Sequence, residues 1–447
     1  RRWIPILEAV DGAGHRAYAA AAMVATGGPF AGASWSWWGL GPDTLASSGD
    51  KIVPAFQTAA KAHAGRLWLL EGGPTQVAYM SDQKPRWGAR VLNAGSQAAE
   101  VEVVLRATLE GKVCDKMTRR LSVAPMGEGQ VEEDWQAPGP GVYEVTVELR
   151  AGGQAVERLS TSTRVLAPAV AVSDRLIHRE GGQFVRSGHL IEAKSRTAMV
   201  GGTPWFPHGV NFWPRYVSGL APEDYGLGWQ VAAHYDPVLV EEDLELAETL
   251  GVTAVSIQPP RDAEGLPCLW DFLERCGEHG IYVNLFIAVD PRGFDPEYIR
   301  TIIEGGRLAC FWQLYAYDIT WEPRWGHYEE RCRWDPQWAD WVSAQYGGVE
   351  TTAKVWGIEA PRDEKGNLTG PTDDQLATDG PWRVMVAAYR RFVDDFLSAG
   401  YGRSCRFIRS LDPEHLISNR AGWGGTGNPH TVRPFQFDPV SGGAHLD

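Results

Sequence analysis

Within LYAYDITWEP, Leu314–Pro323, two carboxylates lie four residues apart, Asp318 and Glu322. Leu314, Tyr315, Tyr317 and Ile319 are strand formers. A residue before proline is pushed to extended geometry, so Glu322 still belongs to the strand's end. In a barrel of parallel strands the C-terminal lip is where chemistry is done, and a carboxyl there can donate a proton. Glu322 is therefore the candidate general acid. Its structural alternative is a buried carboxylate paired with Arg324 or Arg420. Asp318, deeper on the same strand, reads as an inward core carboxylate with a basic partner.

The elements around this stretch must present it. From about residue 173 the chain alternates strand and helix. FPHGVNFWP (206–214) reads as a first strand and TAVSIQPP (253–260) as a second. IYVNLFIAVD (281–290) is apolar almost throughout, as a strand buried on both faces should be. LYAYDITWEP is the fourth and DPEHLISNR (412–420) leads into the fifth. Between them, Asp236 caps a helix with Pro237 in its first turn. Leu269, Phe272, Leu273 and Cys276 give a second helix its apolar face. A long excursion after Glu322 holds two short helices, over 334–347 and 349–357. A strong helix then runs from Trp382 to about Ala399, and its stripe reads as core. Repeated alternation of this kind gives a parallel sheet, either a (β/α)8 TIM barrel or an open doubly wound sheet. No GxGxxG or P-loop supports the open form.

Upstream, residues 67–170 have period two. Tyr143, Val145, Val147 and Leu149 alternate with Glu144, Thr146, Glu148 and Arg150. Short alternating strands with recurrent turn signals predict an Ig-like antiparallel β-sandwich. Residues 1–66 read as a partial N-terminal α/β or β-rich segment. Its short strands are broken by glycine pairs, and one helix is expected near 50–64. The expected organisation is three units: 1–66, 67–170 and 171–447.

The formal charge of −14 argues against a nucleic-acid footprint. The 20 tryptophans, an unusual share, favour a carbohydrate-type ligand over a phosphate-type one. Six cysteines stand in no CxxC or Cys/His ligand spacing, so no zinc site is expected. No run of eighteen apolar residues predicts a membrane span.

FPHGVNFWP, YDITWEP, AQYGGVETTAKVWG and DPEHLISNR, in this order and spacing, resemble the catalytic barrel of clan A glycoside hydrolases. That clan of (β/α)8 enzymes includes β-galactosidases, β-mannanases and cellulases. The resemblance covers residues from about 175 to 447, and a preceding Ig-like domain fits it. It implies a retaining mechanism with two carboxylates, Glu322 being the acid/base. It also implies a carbohydrate partner. Asn211 and Trp213 near the first strand's lip, Asp290 after the third, and Arg420 after the fifth become candidate hydroxyl contacts. Trp325, His327 and Trp423 become candidate rim residues able to stack on or bind a sugar, while His208 reads as a structural hydrogen-bonder.

The chain also departs from the clan's pattern. Trp321 stands where the clan has the Asn that contacts the sugar's 2-hydroxyl. Ser256 and Gln258 stand near the second strand's end, where the clan often has an Arg. The clan's nucleophile lies on a seventh strand. By strand count this chain stops near the start of a sixth, in GGAHLD, so a record truncated within the barrel is expected, with the nucleophile not in it. The alternative reading is a non-catalytic carbohydrate-binding barrel that has lost hydrolase activity. A homo-oligomer and any compartment, extracellular, periplasmic or cytoplasmic, of a bacterial-type enzyme stay open.

Overall fold

The computed structural model describes residues 2–10, 16–25, 33–167, 175–180, 183–186, 203–220, 228–287, 295–321 and 327–420. The chain divides into two compact units, Arg1–Pro168 and Ala169–Asp447. Both are mixtures of sheet and helix.

In the first unit, β1 (Arg2–Val10), β2 (Arg16–Val24) and β3 (Ser34–Trp38) form an antiparallel sheet. The segment Ala17–Ala22 is strand, paired with β1 and, from Ala20 on, also with β3. Two helices follow, α1 (Pro42–Ser47) and α2 (Val53–Ala64), the latter close to the sequence expectation. Its Ala62 packs with Ala22, Val24, Trp68 and Leu92.

The remaining strands make two sheets over one core. They are β4 (Leu67–Pro74), β5 (Ala78–Met80), β6 (Arg86–Asn93), β7 (Ala99–Leu109), β8 (Lys112–Val123), β9 (Gly127–Asp134), β10 (Gly141–Ala151) and β11 (Gln154–Leu166). One sheet runs β4-β6-β9 and the other β5-β11-β10-β7-β8. Tyr143, Val145, Val147 and Leu149 are fully buried, and Trp87 and Trp135 stack between the sheets. The period of two thus translated directly into one dry face per strand.

The second unit opens with an antiparallel sheet of β12 (Ile177–Glu180), β13 (Gln183–Arg186) and β14 (Thr203–Trp205). A curled, all-parallel sheet follows, ordered β15 (Gly209–Asn211), β16 (Ala254–Ile257), β17 (Tyr282–Phe286), β18 (Leu314–Trp321) and β19 (Leu416–Arg420). Each strand pairs with its successor in the chain, as helical crossovers require. The main crossover helices are α3 (Pro237–Thr249) and α4 (Leu266–Glu278), followed by short α5 (Pro296–Arg300). Asp236 caps α3 by accepting from Val238 and Leu239 N–H, as its sequence predicts.

The β18–β19 crossover holds α6 (Tyr328–Arg331), α7 (Asp335–Tyr346), α8 (Val349–Trp356), α9 (Asp373–Ala377) and α10 (Arg383–Leu411). Its core is aromatic, with Trp338 parallel to Trp356 and edge-on to Tyr389.

Three expected boundaries moved. The first strand is three residues long, because Pro207 and Pro214 bracket it without N–H groups. The last helix runs twelve residues past Ala399, since Gly400 and Gly402 lie within a helix that tertiary packing sustains. The fifth strand begins at Leu416, after an Asp412 turn. Residues 421–447, including the expected sixth strand, lie outside the described residues.

Between α3 and α4, His279 bridges two carboxylates, Nδ1 to Glu248 at 2.6 Å and Nε2 to Glu241 at 3.0 Å. Glu241 also meets Arg275, which bonds the buried Asp271 at 2.7 Å. Burial pulls the His279 pKa down, but the two carboxylates outweigh it and hold it above the ordinary 6.5. A raised folded-state pKa stabilises fully below the unfolded value and is lost as pH rises through the folded one. Thermal unfolding followed by circular dichroism is expected to show Tm falling as pH rises above about 6.5, with His279→Gln reducing that slope.

Candidate functional site

The candidate site is the C-terminal lip of the parallel sheet. Its floor can be built layer by layer from strand register. The lowest layer is apolar: Ala254, Tyr282, Tyr315, Ala316 and Leu416 pack with Ile177 of β12. Trp205 of β14 lies edge-on to Tyr282 and Tyr315, at 5.1 Å from each. The antiparallel sheet β12–β14 thus packs on the bottom of the parallel one.

One pleat higher the interior turns polar. Asn211 is in register with Ser256, Ser256 with Asn284, and Asp318 with Ser418. The Asn284 amide donates at 3.4 Å to both Ser256 Oγ and Asp318 Oδ2. These two long bonds fix the amide's orientation, since flipping it would set an oxygen against the carboxylate. Asp318 is fully buried, and Thr320 N–H approaches its other oxygen at 3.5 Å.

The opposite face of β18 is braced from below. Tyr317 donates to Asp412 Oδ2 at 2.6 Å, and His415 Nδ1 meets the same oxygen at 2.7 Å. His415 Nε2 reaches the Phe311 carbonyl at 3.0 Å. Asp412 also accepts from the backbone N–H groups of Glu414 and His415. Burial raises its pKa, yet the His415 and Tyr317 bonds win and hold the carboxyl well below the ordinary carboxylate range. Burial and the neighbouring Asp412 charge push the Tyr317 hydroxyl far above its usual value.

The sequence candidates are distributed unevenly around this floor. Asn211 ends β15 at the lip and is exposed, and Trp213 follows it, half-buried. Trp321 ends β18, and its backbone pairs with Arg420 at the end of β19. A register shift between Asp318 and Trp321 puts that pair in line. Glu322, Asp290, Trp325 and Trp423 lie outside the described residues. His327 is exposed at the start of α6, with Nδ1 3.4 Å from Asp373, so its described partner is on the excursion. His208 accepts or donates structurally, with Nδ1 2.9 Å from the Gly251 carbonyl.

Sequence reasoning missed the polar layer. Asn284 was the signal, as the one polar residue inside an otherwise apolar strand. It also missed the brace, whose members Tyr317 and Asp412 lie 95 residues apart. Among the described residues no cluster of His, Cys, Asp or Glu could hold a metal ion. No helix among them is long and apolar enough to cross a membrane.

No family model matches the chain, and no curated protein matches it. It is similar to solved structures of glycosidases. One is a GH2 β-galacturonidase from Eisenbergiella tayi bound to galacturonate, 14% identical over 79% of this chain and 47% of that one, with a TM-score of 0.26. Another is a β-glucuronidase from Bacteroides uniformis, 12% identical over 79% of this chain and 33% of that one, TM-score 0.25. A third is a β-D-mannosidase from Dictyoglomus thermophilum, 15% identical over 58% of this chain and 31% of that one, TM-score 0.25. The chain spans less than half the length of each. With TM-scores this low, the functional reading rests on the chain's own residues.

The brace gives the first test of the site's support. Removing one member of a buried pair strands the other, at a cost of about 3 kcal/mol. Asp412→Asn is expected to lower the urea unfolding free energy by about that amount at pH 7. Because the folded pKa is depressed, the contribution is present above the unfolded value near 3.8 and lost as pH falls below it. The gap between wild type and Asp412→Asn should therefore narrow in acid.

Proposed function

We propose that the chain carries the acid/base half of a retaining β-glycoside hydrolase site, with an oligo- or polysaccharide as substrate. On this reading the second unit is part of a (β/α)8 barrel, and the two-sheet module of the first unit is Ig-like. The observation that carries it is the parallel five-stranded sheet, with helical crossovers and a polar interior layer, whose fourth strand ends at Trp321, the residue before Glu322-Pro323 in the sequence. Active groups of such sheets collect at the C-terminal ends of the strands.

Glu322 would protonate the departing glycosidic oxygen and then deprotonate the water that releases the glycosyl-enzyme. Both duties require its pKa to sit near the working pH, set by burial and by a second carboxylate that acts as nucleophile. The clan resemblance assigns that nucleophile to a seventh strand. Asn211, Trp213, Asp290 and Arg420 would contact sugar hydroxyls, with Trp321, Trp325, His327 and Trp423 at the rim. No metal or organic cofactor takes part in this chemistry.

A second reading is a barrel that binds glycans without turnover. Trp321 favours it, because an indole cannot accept the 2-hydroxyl hydrogen bond that tightens in the transition state. The two readings part on one assay of the full-length protein with aryl β-glycosides. The hydrolase reading expects turnover, and Glu322→Gln to lower kcat/KM by about 100-fold or more. Retention of rate within a few-fold removes Glu322 from the acid/base role. Glycan binding with no turnover selects the second reading.

A further inference from the structure

The upper layers of β16 and β17 carry side-chain carbonyls that no hydrogen-bond donor fills. The Asn284 amide nitrogen is committed to Ser256 and Asp318, so Oδ1 is the end left over, and it is enclosed without a partner. The whole side chain is nearly buried, at 7% exposure. Gln258 lies two residues beyond Ser256 and directly before Pro259, so it stays extended and falls on the same side of the sheet, one step nearer the strand ends. Ile257 and Leu285, the paired residues in between, are fully buried on the opposite side. Gln258 Oε1 is likewise enclosed without a donor.

Gln230 joins them from the segment before α3. It is completely buried, and its Nε2 donates to the Gln258 backbone carbonyl. Turning this amide over would set oxygen against oxygen, so its unpartnered Oε1 is a fixed acceptor. A side chain at Gly265 would collide with the Gln230 carbonyl and with Pro260, so Gln230 is held directly against the segment that follows β16. Trp229 Nε1 is enclosed without a partner as well, but its ring packs among Phe212, Tyr235 and Phe272. The unfilled groups of Asn284, Gln258 and Gln230 are all acceptors.

A buried carbonyl oxygen without a donor is costly, and a bound group that supplies the donor recovers that cost. A sugar hydroxyl donates and meets this need. A carboxylate only accepts, so it would leave these oxygens unfilled and set lone pair against lone pair. We propose that Asn284, Gln258 and Gln230 determine specificity, offering acceptors to the hydroxyl groups of a neutral β-hexoside and excluding the corresponding uronide, whose carboxylate replaces the primary alcohol. The effect on turnover rests on the glycosidase reading; the binding preference holds equally for a glycan-binding barrel.

The experiment takes neutral and uronide partners of the gluco, galacto and manno series. Calorimetry on the full-length protein measures binding of the methyl β-glycosides, and kcat/KM is measured on the matching aryl β-glycosides. In the series that binds best, the neutral sugar is expected to be preferred about 100-fold. Gln258→Met keeps the length of the side chain, removes the amide and should cut that preference about ten-fold. Gln258→Arg supplies donors and charge and should bring the uronide to parity or better. Asn284→Ser should weaken the neutral sugar about ten-fold and leave the uronide unchanged. Gln258 is only half-buried, so its two variants decide the matter even if Asn284→Ser does not fold. A wild type that takes the uronide as well as its neutral partner overturns the inference, and turnover of both leaves the glycosidase reading standing. A neutral preference untouched by both Gln258 variants overturns the assignment to these amides. A neutral preference in binding that Gln258→Met reduces, with no turnover of either partner, upholds the inference and overturns the hydrolase reading. Neither binding nor turnover in any series overturns both.

Discussion

One buried carboxylate ties the strand beneath the candidate site to the longest helix. Asp412 ends α10, and it takes bonds from Tyr317 in the middle of β18 and from His415 just before β19. The helix end, the central strand and the start of the next strand therefore share one hydrogen-bonded centre. An ion in a dry interior is tolerated only when its lone pairs are filled. Here two side chains and two backbone N–H groups fill them. The consequence reaches the lip: β18 and β19 are locked in register below Asp318 and Ser418, and so the ends at Trp321 and Arg420 meet.

The two ends of the parallel sheet have opposite character. The lower end is closed by an antiparallel sheet whose Ile177 and Trp205 pack on tyrosine rings. Apolar closure excludes water and costs nothing in unsatisfied polar groups. Toward the upper end the interior side chains become Ser256, Asn284, Asp318 and Ser418. Polar side chains held inside a sheet are expensive for folding unless bonded to one another. They lie on the side of the strands' C-terminal ends, away from the apolar plug.

How much of this was readable in the sequence follows from the range of the interactions involved. Tyr143–Leu149 announced a strand because burial on one face leaves a local period of two. The Asp236-Pro237 cap is equally local. The crossover order β15 to β19 could be read because each strand pairs with its successor, so no distant partner had to be guessed. The Asp412 centre could not be read. Its members lie 95 residues apart, and nothing in Tyr317 or in DPEH points to the other. Asp373 is hidden for the same reason, since it acts on Arg331 from 42 residues downstream. The extent of α10 escaped because Gly400 and Gly402 signal termination locally, while packing on the aromatic core overrides them.

The departure at Trp321 gains meaning from register. Between Asp318 and Trp321 the ladder with β19 slips by one residue, since Ser418 to Arg420 spans two steps and Asp318 to Trp321 three. A bulge of this kind turns the strand and redirects every side chain beyond it. The same slip brings the backbone of Trp321 into register with Arg420, at the last described step of the β18–β19 ladder. An amide contributes a directional hydrogen bond, whereas an indole contributes area and a stacking face. On the proposed glycosidase reading, a tryptophan at this position leaves hydrogen-bond discrimination to residues at the other strand ends.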